Sequence, residues 1–424
     1  MSIDQRRRAC LAFLAAVCIL CPRASMAVPA ANPAGWVAAW TASPEAADAD
    51  PEEPLLHLQG QTVREQVRLS VGGSRIRIRL SNEYGATPIR IGAATAGPIG
   101  DPANGSAGAI RSLRFEGRSF VTIPAGGTVL SDPLDVAAAA GSQLSISLYF
   151  PDRVATPTLH ALALKDAVIT PPGDETRASK IKTQAISKSW ILISQVLVPP
   201  HSGQRVVAAF GDSLVDGDGS THGADRNWPT DLARRLAARS GSAVAVVDAG
   251  IAGNRFLADG PFPSLGISGE ARFERDVLSL PGLTHVILEE GINDIGFPGA
   301  SLHGVSLAAA SPAPTADDLI AGYSRLIAKA HARGIKVIGV TLTPFEGVDV
   351  AGYYTDRKNA IREAVNQWIR SSGAFDAVLD FDAIVRDPTH PARLRPELAS
   401  ADHLHPNDNG YQALADSIDL SLFL

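Results

Sequence analysis

Hydrophobic and polar positions along this chain keep two different periods. From Trp36 to about Pro200 the period is two. Val63 to Val71 alternates apolar residues, Glu65 excepted, with Arg64, Gln66, Arg68 and Ser70, and Arg75-Ile76-Arg77-Ile78-Arg79-Leu80 sets arginines on one face and aliphatics on the other. Ile89-Arg90-Ile91, Leu113 to Phe120, Leu144 to Leu148 and Trp190 to Val198 repeat the alternation, with Gly72-Gly73, Ala125-Gly126-Gly127 and Pro171-Pro172-Gly173 as turns between them. No long helical stripe interrupts this region. It predicts an all-β, jelly-roll-like sandwich over 28–200, with its arginines on a solvated face and Trp36 and Trp40 in core or inter-domain packing.

After the linker-like Val198-Pro199-Pro200-His201-Ser202-Gly203 the pattern changes. Apolar runs at Val206–Phe210, Val244–Val247, Thr284–Leu288, Ile335–Leu342 and Ala377–Asp380 predict buried strands. Between and after them lie helical spacings over Asn227–Ser240, Glu270–Leu280, Ala316–Arg333 (closed by Gly334), Thr355–Ser371 and Asn409–Ser417. Five strands separated by helices predict an α/β domain over 201–424, a parallel sheet covered on both faces. Two stretches, Arg255–Gly269 and Ile295–Thr315, are too long for simple connections and should border a site.

The chain has 424 residues, so two domains are expected, and its hydrophobic content of 45% suffices for ordinary cores. A net charge of −6 with no basic run beyond the N-terminus argues against nucleic acid as a partner. Arg6-Arg7-Arg8, the short apolar run Ala9–Cys21 and Ser25-Met26-Ala27 read as a signal peptide over 1–27, and hence as a secreted or periplasmic protein with no stable membrane anchor. A lipid anchor at Cys21 is disfavoured by the large Leu20 before it. All three cysteines, Cys10, Cys18 and Cys21, fall in that leader, so no disulfide or thiol nucleophile is expected in the mature protein.

The strand Val206–Phe210 ends in Gly211-Asp212-Ser213-Leu214, at the carboxyl edge where α/β sheets place their chemistry. By itself a serine there is as well read as a helix N-cap. The turn is not a full Gly-x-Ser-x-Gly elbow, because Val215 and not a glycine lies two places after Ser213. Asp402-His403-Leu404-His405 taken alone would be a cap or a loop. Asp216-Gly217-Asp218-Gly219-Ser220 looks like a calcium loop but lacks the sixth-position glycine and has Asn227 at position twelve, so no metal is expected. Four stretches taken together change the reading. Gly-Asp-Ser-Leu at Ser213, Gly253 in Gly250-Ile251-Ala252-Gly253-Asn254, Asn293 in Gly291-Ile292-Asn293-Asp294, and Asp402 with His405 occur in the order of the signature blocks of the SGNH/GDSL hydrolase family, which the region from Val206 onward resembles. His403, where the family often has a small residue, and Glu289-Glu290 before the third block are departures.

The resemblance implies a flavodoxin-like strand order 2-1-3-4-5 and a serine esterase that needs no cofactor. Ser213 would be the nucleophile, His405 its base and Asp402 the residue that orients the base. The backbone N–H groups of Ser213 and Gly253 and the side-chain amide of Asn293 would form the oxyanion hole. Asp212, Asn254, Trp228 and Phe256 are candidates for substrate contact, while Asp212 and Asp294 also read as braces of their turns. His403 reads as a rim residue. The expected substrate is a small-molecule or polysaccharide ester, with short-chain and carbohydrate-linked acyl groups favoured by export and by the accessory β domain. The alternatives are a lipase or lysophospholipase-type esterase, an acyltransferase, and a non-catalytic polysaccharide-binding protein. Oligomeric state is not legible.

Overall fold

The computed structural model describes residues 34–48, 57–101, 106–154, 156–241 and 243–424. The signal peptide expected over 1–27 lies outside them. Among the described residues no helix is long and apolar enough to cross a membrane.

The period-two region forms antiparallel sheets. Strand Gln61–Arg68 pairs along its full length with Gln143–Phe150, which also pairs with Ala93–Asp101. A second sheet runs Val37–Thr41, Ile193–Val198, Arg77–Asn82, Gly127–Leu130 in space. Val63, Val67, Leu144, Ile146 and Leu148 of the first sheet and Ile78, Leu80 and Val196 of the second are fully buried in one apolar cluster, which is consistent with a sandwich. The pairings do not themselves give a jelly-roll order.

Three expectations change here. The arginine face is not uniformly solvated: Arg64 and Arg79 are buried. Arg64 Nε donates to Ser147 Oγ and its Nη2 to the Ala178 carbonyl, because the segment after Thr170 covers that face and supplies acceptors. Leu113–Phe120 is not a strand, since Glu116 and Gly117 both take positive φ and fold Phe115 back on Arg118. Trp190–Val198 is split at Leu192, whose φ is +60°.

The second half is a five-stranded parallel sheet: β1 (Arg205–Gly211), β2 (Val244–Gly250), β3 (Leu283–Glu289), β4 (Lys336–Val340) and β5 (Ala377–Leu379). Their order in space is β2-β1-β3-β4-β5, the 2-1-3-4-5 arrangement. Helices cover it: α1 (Ser213–Asp216), α2 (Trp228–Ser240), α3 (Gly269–Phe273), α4 (Ile292–Gly296), α5 (Ala316–His331), α6 (Asp356–Ser371), α7 (Phe381–Val385) and α8 (Asp408–Ser417). Side-chain caps start several of them: Asn227 for α2, a Thr315/Asp318 capping box for α5, Thr355 for α6 and Asn407 for α8. The helix expected over Glu270–Leu280 is α3 continued by a π-turn over Glu274–Leu278.

The two halves are tied closely. Ala38 N–H donates to the Pro281 carbonyl, Val246 N–H to Ser70 Oγ, and Arg68 pairs with Asp225 at 2.7 Å. The apolar cluster of the sheets at the N-terminal end continues into β1 and β3.

Candidate active site

Register places the site. Gly211 at the end of β1 lies opposite Gly250 of β2 and Glu289 of β3, so the segments that follow all three strands leave the sheet at one level. Those segments carry Ser213, Ile251–Asn254 and Gly291–Asp294. Gly211 is required by close approach: a Cβ there would lie 2.1 Å from the Glu289 carbonyl oxygen and 2.4 Å from Val215 Cγ2. Asp212 caps α1 by accepting from Leu214 N–H, which leaves Ser213 as the first helical residue.

His405 arrives from the far end of the chain. Its Nε2 is 2.8 Å from Ser213 Oγ and its Nδ1 is 2.6 Å from Asp402 Oδ2. With Nδ1–H donating to the carboxylate, Nε2 is the acceptor for the serine hydroxyl. Asp402 Oδ1 accepts from Ser400 Oγ and from the backbone N–H groups of Leu404 and His405. Burial works against the Asp402 charge, but the His405 hydrogen bond and charge, followed by the Ser400 hydroxyl, outweigh it and hold the carboxyl well below the usual range. The carboxylate therefore stays ionised wherever the imidazole must become charged.

The three groups expected as oxyanion donors lie on the segments that follow β1, β2 and β3. The N–H groups of Ser213 and Gly253 meet no acceptor among the described residues. Gly253 has φ +73°, and a Cβ on it would lie 2.7 Å from Leu265 Cδ2, so the turn admits only glycine. Leu265 belongs to the long 255–269 stretch, which thus borders the site as expected. The Asn293 amide is oriented at both ends: Tyr353 Oη donates to its Oδ1 at 2.8 Å, and its Nδ2 donates to the Asn254 carbonyl at 2.9 Å, leaving one amide hydrogen over.

The candidates for substrate contact fare differently. Trp228 is 0% exposed. Its Nε1–H donates to Glu289 Oε2 and its ring meets Phe381 edge-on in the core beneath the sheet, so it floors no pocket. Phe256 is equally buried and stacks on Tyr323. Asn254 spends its side chain on structure, donating to the Leu265 and Ile267 carbonyls and accepting from Arg272 Nε. Asp212 is buried as the α1 cap, and burial, with Glu289 and Asp294 nearby, pushes its carboxyl well up. All four are therefore supports of the site rather than its surface. Asp294 accepts from Phe256 N–H and Leu257 N–H and so braces the second block against the third. His403 is exposed, at φ +59°.

Several residues around the site gave no local signal in the sequence. Arg272 of α3 is fully buried and reaches the Gly211 and Ala249 carbonyls, Asn254 Oδ1 and Glu290 Oε1, which ties the ends of β1 and β2 to the turn that carries Gly253. Burial and then Asp212 push the Glu290 carboxyl up against the pull of Arg272. Tyr353 and Ser400 were likewise unmarked. Among the described residues no group of three or more His, Cys, Asp or Glu side chains is placed to hold a metal ion. Asp216, in the calcium-like stretch, is instead engaged by His160.

Comparison with known proteins agrees in kind. The model of the GDSL-like lipase/acylhydrolase family matches residues 209–413. No curated protein matches the chain. Among solved structures, the aryl esterase of M. smegmatis is similar at 17% identity and a TM-score of 0.39, covering 50% of this chain and 95% of its own. An acetyl xylan esterase gives 24% and 0.38 over 52% of this chain and all of its own. A carbohydrate acetylesterase from Sinorhizobium meliloti gives 17% and 0.37 over 50% and 95%. With its four blocks gathered at one sheet edge and the family match spanning them, the C-terminal half of this chain is a GDSL-like lipase/acylhydrolase domain.

Proposed function

We propose that this protein is an exported serine esterase that hydrolyses carboxylic esters through an acyl-enzyme, with Ser213, His405 and Asp402 as its triad. The observation that carries the reading is the continuous pair of short contacts, 2.8 Å from Ser213 Oγ to His405 Nε2 and 2.6 Å from Nδ1 to Asp402. Ser213 Oγ attacks the ester carbonyl as its proton passes to Nε2, and Asp402 stabilises the imidazolium. The oxygen of the tetrahedral intermediate is held by the Ser213 and Gly253 N–H groups and the free hydrogen of the Asn293 amide, donors worth about 2.7–4 kcal/mol each where one has been removed from such a hole. Collapse breaks the bond to the alcohol, which leaves with the proton from His405. Water, deprotonated by His405, then attacks the acyl-Ser213 ester and releases the acid.

Short-chain acyl groups, on carbohydrates in particular, fit this reading best. Trp228 and Phe256 are spent in the core, so neither contributes an apolar floor for a long acyl chain. A panel of short- and long-chain aryl esters beside acetylated glycans, assayed with wild type and Ser213→Ala, tests it. Turnover should favour acetyl esters and vanish in the variant. Ser213→Ala within tenfold of wild type would overturn the triad, and a preference for long chains would overturn the substrate class.

A further inference from the structure

Resting on that esterase reading, we infer that the β-rich N-terminal half takes part in catalysis: its His160, acting through Asp216, is a positioning element for the turn that presents the Gly253 oxyanion donor.

The path is short and buried. His160 ends the strand Thr158–His160, and its side chain is 4% exposed. Nδ1 lies 3.0 Å from the Ser43 carbonyl and Nε2 lies 3.0 Å from Asp216 Oδ1. Asp216 is three residues beyond Ser213 and closes α1. Its other oxygen, Oδ2, accepts the N–H of Ala252 at 3.1 Å. Ala252 immediately precedes Gly253.

The consequence follows from turn geometry. Ile251–Asn254 is a β-turn, closed by Asn254 N–H donating to the Ile251 carbonyl at 3.0 Å. A positive φ at its third residue, Gly253, is the type II arrangement. Rotation of the central peptide, between Ala252 and Gly253, would turn the Gly253 N–H to the opposite side. That peptide is bracketed by two fixed neighbours. The peptide after it is held by the closing bond to Ile251, and the peptide before it, which carries the Ala252 N–H, is held by Asp216. Asp216 in turn is held by His160 from the other half of the molecule. Burial alone would lower the His160 pKa, but Asp216 and Glu45 outweigh it and push it up to about 10, so the imidazole is charged at neutral pH and its hold on Asp216 is charge-assisted. The nearby Asp248 carboxyl is pushed up to about 8, chiefly by burial and then by Asp216.

A device acting only on the oxyanion should appear in kcat and not in substrate binding. Asp216→Ala removes the acceptor for Ala252 N–H. Asp216→Asn keeps one, because its amide can donate to Nε2 of a neutral His160 while its oxygen receives Ala252. His160→Leu keeps Asp216 but removes its anchor. Losing a whole donor costs roughly 10²–10³-fold in kcat, so a donor left free to rotate should cost about ten- to a hundredfold. We expect that loss in Asp216→Ala and His160→Leu with KM within threefold, and recovery of most of it in Asp216→Asn. The affinity of a phenylboronic acid, whose tetrahedral adduct occupies the same hole, should fall in parallel. Circular dichroism and melting curves of the full chain establish which variants are folded; should His160→Leu not fold, the two Asp216 variants decide. Folded Asp216→Ala with kcat and boronate affinity within threefold of wild type overturns the inference. Wild type and Ser213→Ala run in the same assay separate that outcome from failure of the esterase reading, which would appear as an inactive wild type or an active serine variant.

Discussion

Tyr353 Oη donates to Asn293 Oδ1 at 2.8 Å from a ring that is itself buried. Burial pushes the phenol pKa well above its ordinary value, so the group remains a donor across the whole working range. An amide carbonyl so engaged fixes which end of Asn293 carries the oxygen and which the free N–H. Tyr353→Phe should therefore lower kcat by roughly three- to tenfold, the equivalent of about 1 kcal/mol for one lost hydrogen bond, with KM unchanged. Steady-state kinetics on an aryl acetate measure it, and an unchanged kcat would show that Asn293 is oriented without the tyrosine.

The two histidines of the last block should part company. His405 touches Ser213, whereas His403 is exposed and makes its contribution through a left-handed backbone. His405→Ala should lose about 10⁴-fold or more in kcat. His403→Asn, suited to positive φ, should stay within threefold. The opposite phenotypes would move the base by two residues.

Stability should fall as the solution becomes alkaline. Glu289 is pushed up to about 8, by burial first and by Glu290, against the pull of the Trp228 N–H. The folded state thus holds a proton that the unfolded chain releases above about 4.3. Its contribution is fully present below that value and is lost as pH rises through about 8. Glu45 and Asp248, also at about 8, carry the same sign. Melting temperature should decline from pH 5 to pH 9, and Glu289→Gln, which keeps a carbonyl for Trp228, should flatten the slope. A melting temperature that rises over this interval in wild type would contradict the burial assigned to these groups.

Trp228 should matter to the fold and not to the substrate. Trp228→Phe leaves Glu289 without its indole donor. A loss of about 1–3 kcal/mol is expected, with KM for aryl acetates unchanged. Denaturant melts and kinetics on the same preparation separate the two. A raised KM at full stability would return Trp228 to the pocket.

Trp228 also illustrates what the sequence could and could not convey. Closeness to Ser213 along the chain suggested a pocket wall. Yet Trp228, Leu232 and Leu236 recur every four residues, and that stripe on α2 faces the core in the structure. The periodic signal outweighed proximity. The five parallel strands, the helices α2, α3, α5, α6 and α8 and the four blocks were legible because each depends on local pattern: an apolar run, a glycine at a strand end, a cap. Arg272, Tyr353 and Ser400 were not, because their work is done on partners whose positions only the folded sheet defines. Arg272 lies beside Phe273 and near Val277, and nothing in that context marks a guanidinium destined for the Gly211 and Ala249 carbonyls. The buried Arg64 was misplaced for a related reason. Strand alternation identifies a face, but it does not say what covers it.

Asp402 and His405 are joined twice, through the imidazole contact and through the carboxylate's grip on the backbone N–H groups of Leu404 and His405. Carboxylate and imidazole consequently form one compact unit, assembled within four residues of chain. The backbone bonds set the spacing of the two side chains independently of the rest of the sheet. What joins that unit to the first turn after β1 is the 2.8 Å contact between Nε2 and Ser213 Oγ. The far end of the chain thus meets the first turn after β1 as one preassembled cassette, its two side chains already set against each other before they reach Ser213.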